Sequence, residues 1–115
     1  MRYMLLIHAD EKAWGALSPE QAADAMAAYI AYGDALRAAG KYVDSYQLQP
    51  TSTAKCVHVE GGHKGVSDGP FADTKEALGG YYLIESADIA EATDWAAKCP
   101  GAGHGTVEVR PVVLR

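Results

Sequence analysis

Two short segments of this chain, Tyr3-Met4-Leu5-Leu6-Ile7 and Tyr81-Tyr82-Leu83-Ile84, are apolar at every position. Successive side chains of a strand point to opposite faces of its sheet, so an uninterrupted apolar run makes both faces oily. In the first run Tyr3, Leu5 and Ile7 share one face, and Met4, Leu6 and the following His8 share the other. In the second, Tyr81 and Leu83 oppose Tyr82 and Ile84. A sheet face left to water alternates with polar residues, and neither segment does. Helices packed on one side therefore leave apolar surface on the other, and such surface usually marks an interface. A second copy related by a two-fold axis supplies the cover. A long loop, or the hairpin at 54–67, folded over the face is the alternative.

The remaining pattern predicts what flanks these strands. The first strand is expected over residues 2–8. Ser18-Pro19-Glu20-Gln21 reads as a helix start, with Ser18 as cap, Pro19 at the first helical position and Gln21 closing a capping box. Ala22, Met26, Tyr29, Gly33 and Leu36 then form one apolar stripe, and Gly40 follows the helix end. Strands are expected from Tyr42 to Leu48, from Ala54 to Glu60 and from His63 to Ser67, the last two joined by Gly61-Gly62. Asp68-Gly69-Pro70 breaks the chain, 71–78 reads as loop or a short helical turn, and Gly79-Gly80 lead into a strand over Tyr81–Glu85. A second helix is expected from Asp88, with Glu91 as the other half of a capping box and Ile89, Ala92, Ala96 and Cys99 as its stripe. The last strand is expected from Thr106 to about Leu114, with Pro111 placing it at an edge or bulge. The order predicts one α+β domain over residues 1–115: a ferredoxin-like βαββαβ sandwich with an extra β-hairpin.

Charge and cysteine usage narrow the partners. A net charge of −5 without any local Lys or Arg cluster disfavours nucleic acid. The apolar run after Arg2 is too short for a secretory or membrane segment. The two cysteines, Cys56 and Cys99, lie far apart, which suits reduced thiols and a cytoplasmic location.

The segment from Val66 through Ser67-Asp68-Gly69-Pro70-Phe71-Ala72-Asp73-Thr74-Lys75-Glu76-Ala77-Leu78-Gly79-Gly80 to Tyr81-Tyr82-Leu83-Ile84-Glu85 closely resembles the signature of the DGPF-domain branch of the YCII-related proteins. Arg2-Tyr3-Met4-Leu5-Leu6-Ile7 and Val107-Glu108-Val109-Arg110-Pro111 extend the resemblance over nearly the whole chain. It implies a ferredoxin-like protomer in a dimeric α+β barrel, in agreement with the parity of the strands. Most members of the branch lack an assigned reaction, and some occur beside extracytoplasmic-function sigma factors. The wider group is thought to use a His-Asp pair with the His on the first helix. Here the predicted helix from Pro19 to Ala39 contains no His, and only His8, on the first strand, offers a substitute.

Two functional readings follow. In the first, each protomer holds a small apolar pocket for an organic acid or aromatic ligand. His8 serves as acid and base, because imidazole titrates near neutrality. Asp68 or Glu108 orients it, Arg110 holds an anionic group, and Phe71 and Tyr81 line the cavity. The competing structural roles are a satisfied strand-end histidine for His8, a turn residue for Asp68, an ion pair for Glu108 with Arg110, and core packing for Tyr81. In the second reading the chain is a non-catalytic ligand-binding or regulatory module, with a sigma factor as partner. His58 and His63 flank the Gly-Gly turn and His104 sits among glycines; no histidine spacing suits a metal, and no cofactor motif is present.

Overall fold

The computed structural model describes residues 1–114. Its body is a four-stranded antiparallel sheet with helices on one side. The strands are β1 (Arg2–Ala9), β2 (Tyr42–Gln47), β5 (Ala77–Glu85) and β6 (Thr106–Pro111), and they lie in the order β2-β5-β1-β6. Strands β3 (Lys55–Glu60) and β4 (His63–Asp68) form a separate two-stranded hairpin inserted between β2 and β5. The two wholly apolar runs occupy the two central strands, and the arrangement is the ferredoxin-like α+β fold.

Three helices accompany the sheet: α1 (Glu11–Gly15), α2 (Pro19–Ala38) and α3 (Ile89–Lys98). The capping box at α2 forms in full. Ser18 Oγ accepts from the Gln21 amide at 3.1 Å, and Gln21 Oε1 accepts from the Ser18 amide at 2.9 Å. At α3 half of the expected box forms. Asp88 caps the Glu91 amide, but the Glu91 carboxylate accepts from the Ser86 hydroxyl and pairs with Lys41 instead of closing the box.

One face of the sheet and the helices above it form the core. Tyr3, Leu5 and Ile7 of β1 and Tyr82 and Ile84 of β5 pack against Tyr32 and Leu36 of α2 and against Ala92 and Ala96 of α3, with Cys99 beside them. The Tyr32 and Tyr82 rings meet edge to face with centroids 5.1 Å apart, and the Tyr32 hydroxyl donates to the Trp95 carbonyl at 2.6 Å. Burial of this kind stabilises by roughly 1.5–3 kcal/mol for each large side chain.

Several elements differ from the sequence pattern. Helix α1 was not expected; five residues are too few for a hydrophobic period to show, and its visible signal is the Asp10 cap on the Lys12 amide. Strand β5 begins at Ala77, so residues 77 and 78 and both glycines belong to the strand. A register shift opposite Ile7 and His8 leaves Gly79 as the extra residue. Strand β6 ends at Pro111, which has no N–H for a ladder, three residues before the expected Leu114. Ile89 lies on the outer side of α3, half exposed. In α2 only Tyr32, Gly33 and Leu36 are buried, and the stripe residues Ala22 and Met26 are left in the open.

Candidate functional site

The exposed half of the α2 stripe forms one wall of a groove. The N-terminal part of α2 stands off the sheet, and the gap between it and β2 and β5 has a volume of about 700 Å³. Met26 and Ile30 of α2, Trp14 of α1 and Leu48 after β2 line it, together with Tyr29, Tyr42 and Tyr82. Strand β5 supplies a floor without side chains at Gly79 and Gly80. A Cβ on Gly80 would stand 2.9 Å from the Tyr46 carbonyl, so the close pairing of β2 with β5 at this point requires glycine.

The polar groups in the groove are few. Glu11 is occupied: its two oxygens accept from the Thr51 amide at 2.8 Å and the Thr51 hydroxyl at 2.7 Å. Arg37 lies over the Tyr42 ring at 4.1 Å, and its link to Asp34 at 3.6 Å is long and solvent-exposed. Burial, reinforced by the nearby Cys99 thiol, pushes the Tyr29 and Tyr82 hydroxyls up to about 12, so both stay neutral at physiological pH. The groove is thus an apolar, aromatic-walled cleft with one cation at its wall, suited to holding a ligand and poor in groups that exchange protons near pH 7.

The residues singled out from sequence lie mainly elsewhere. His8 faces the opposite, helix-free side of the sheet, because its neighbour Ile7 occupies the core side. There it meets Glu108. His8 pairs with Thr106 and Leu6 with Glu108 across the β1–β6 ladder, and on this diagonal His8 Nε2 lies 3.2 Å from Glu108 Oε1. Arg110 bonds the other Glu108 oxygen. Arg110 first and His8 second hold the Glu108 carboxyl below its ordinary range. Val107 and Val109 of the same strand pack against the core, which sends Glu108 and Arg110 to the open side.

Asp68 is at the end of β4 and pairs with Lys55 Nζ at 2.6 Å; the carboxylate against His8 is that of Glu108. Phe71 is 96% exposed. Tyr81 is on the helix-free face of β5, opposite Leu6, with its hydroxyl on Asp44 at 3.2 Å and its ring 6.2 Å from that of Tyr46. The sequence-predicted set therefore divides. His8, Glu108 and Arg110 come together, whereas Asp68, Phe71 and Tyr81 each lie apart from them.

The profile of the YCII-related domain matches residues 1–114. The chain belongs to the YCII-related family. This YCII-related chain is also 38% identical over 116 residues to the uncharacterized protein R00369 of Rhizobium meliloti (strain 1021), an alignment covering 99% of this chain and 94% of that protein.

The groove of this YCII-related domain leaves little trace in the sequence, because its lining comes from five separate segments. Trp14 sits on a helix too short to read, and Met26 and Ile30 look like ordinary core residues of an amphipathic helix. The available signal was in Gly33, Gly79 and Gly80, small residues that all fall in the lining.

Proposed function

We propose that this DGPF-type YCII-related chain works as a symmetric pair, each protomer binding one small, mainly apolar aromatic ligand in the groove between α2 and strands β2 and β5. One observation carries the proposal: a cleft of about 700 Å³, drug-sized in volume and walled by aromatic side chains that stay neutral. Arg37 favours ligands with an anionic group. The test uses 1-anilinonaphthalene-8-sulfonate, an aromatic anion whose fluorescence rises in apolar surroundings. Saturable binding of one probe per chain is expected. It should be lost in a Met26→Gln, Ile30→Gln double variant, whose side chains are half exposed and leave the core intact, and kept in Leu6→Arg on the other side of the sheet. Equal binding by wild type and the double variant would refute the groove.

The His8–Glu108 pair favours a second reading, acid–base chemistry on the helix-free face. An ionised Glu108 only accepts hydrogen bonds, so it fixes a proton on His8 Nε2 and leaves Nδ1 as the base. Proton NMR in D₂O on pools of small carboxylic acids and aromatics reads this directly. Loss of a C–H signal that depends on His8 supports it, and no exchange in any pool, or exchange unchanged in His8→Ala, rejects it. A ligand held in the groove without turnover would make the chain a non-catalytic ligand-binding or regulatory module.

A further inference from the structure

The β3–β4 hairpin carries almost no packing of its own. Every residue of β4 is exposed, and in β3 only Cys56 is half-buried. The molecule measures 48 × 43 × 18 Å with a radius of gyration of 16.1 Å, against roughly 13 Å for a compact chain of this length. The hairpin is an arm reaching out from a thin plate. A lone two-stranded hairpin is marginally stable in water, so an arm of this kind calls for a surface to lie on.

The register says which side of the arm needs cover. Val57 pairs with Val66 and Val59 with Lys64, so the three valines and the Lys64 stem share one face, with the Lys55–Asp68 ion pair at its open end. Those valines are 63%, 62% and 51% exposed for Val57, Val59 and Val66. Cys56, His58, His63 and Ser67 lie on the other face. Charge is divided as well. Lys55 and Lys64 balance Glu60 and Asp68 within the arm, so the whole net charge of −5 resides in the rest of the chain. A neutral arm approaches an acidic body without the repulsion that two bodies exert on each other.

We propose that the arm crosses to a second copy of this chain and lays its valine face on that copy, extending the interface that begins at the helix-free sheet face. The proposal rests on the paired assembly described above, and area is the reason for choosing a second copy. The four strands, with 8, 6, 9 and 6 residues at about 3.4 Å each and about 4.8 Å apart, present roughly 470 Å² on one face. A stable association buries about 800 Å² on each partner. The open face alone falls short by roughly two fifths. The valine face of the arm adds roughly 200 Å² by the same dimensions, given by one copy and received by the other, so reciprocal exchange supplies the missing area on both.

Sedimentation equilibrium from nanomolar to 100 micromolar chain tests this on wild type, on the Val57→Thr, Val59→Thr, Val66→Thr triple variant, and on Leu6→Arg. Threonine keeps the shape and the strand preference, so the hairpin is retained while its apolar face is lost. A wild-type dimer is expected, with dissociation raised roughly 100-fold or more in the triple variant. Amide hydrogen exchange supplies the second measurement: the 55–68 amides should be protected in the wild-type dimer and unprotected in monomeric Leu6→Arg. A dimer whose affinity is unchanged in the triple variant, or whose arm amides exchange as fast as in the monomer, overturns the arm contact and leaves the dimer standing. A wild-type monomer at 100 micromolar overturns both.

Discussion

The two faces of the central sheet are built from the same strands and nearly the same residue types, yet they have different fates. On the helix side Leu5 and Ile84 are completely buried. On the other side Leu6 and Leu83, one position along in the same strands, are only half-buried, and His8, Glu108 and Arg110 form a polar cluster beside them. Apolar character alone therefore does not decide which face becomes the core. The helices decide it, by covering the face that Tyr3, Leu5 and Ile7 share. In the proposed pair the second oily face is the binding surface, and the polar cluster gives it specificity.

The largest effect expected from this contrast is in the core. Leu5→Ala should destabilise the chain by about 2–5 kcal/mol, whereas Leu6→Ala should change the dilute protomer by less than about 1 kcal/mol. Urea denaturation at submicromolar concentration measures both, and equal losses would break the distinction between the faces. A smaller effect is expected at the hydroxyls. Tyr32→Phe leaves the Trp95 carbonyl without its side-chain donor and should cost about 1–2 kcal/mol; Tyr81→Phe, on the outer face, should leave the denaturation midpoint unchanged. Along α2 the contrast sharpens again, because its N-terminal half has only the groove beneath it. Ser18→Ala removes the cap at that end, with an expected loss of about 1 kcal/mol and weaker binding of the anilinonaphthalene probe.

The smallest effect is in pH dependence, and the faces should differ in direction. Tyr29 and Tyr82 have folded values near 12 against an ordinary 10. Their contribution is complete below pH 10 and is lost as pH rises through 12, because the unfolded chain releases those protons first. Glu108 is lowered from 4.5, so its contribution is present above that value and is lost as pH falls through the lower folded value. Denaturation midpoints across pH should show Glu108→Gln flattening the acid side and leaving the alkaline side alone. A variant that altered the alkaline side instead would assign the two faces wrongly.

Much of the candidate chemistry was legible, and the limits have a physical cause. Strand parity puts His8 with Met4 and Leu6 on one face of β1, and Glu108 with Arg110 on one face of β6, but parity within each strand does not say that the two faces coincide. It could not give the register between the two strands, which sets the 3.2 Å approach of His8 to Glu108. Asp68 and Phe71 belong to a sharp turn, and nothing local in the sequence fixes where such a turn ends. The turn closes the arm, where Lys55 takes Asp68. The groove was invisible because the α2 stripe is continuous in sequence, while only its C-terminal half reaches the sheet.

The sequence by itself determined the ferredoxin-like order of elements, the caps of the long helix and the presence of two apolar sheet faces, because periodicity and capping act between residues close along the chain. The tertiary structure decided which half of α2 lies down on the sheet, where the 700 Å³ groove opens and how far the β3–β4 arm reaches. Those features depend on distances between segments remote in sequence, and such distances follow from how layers pack.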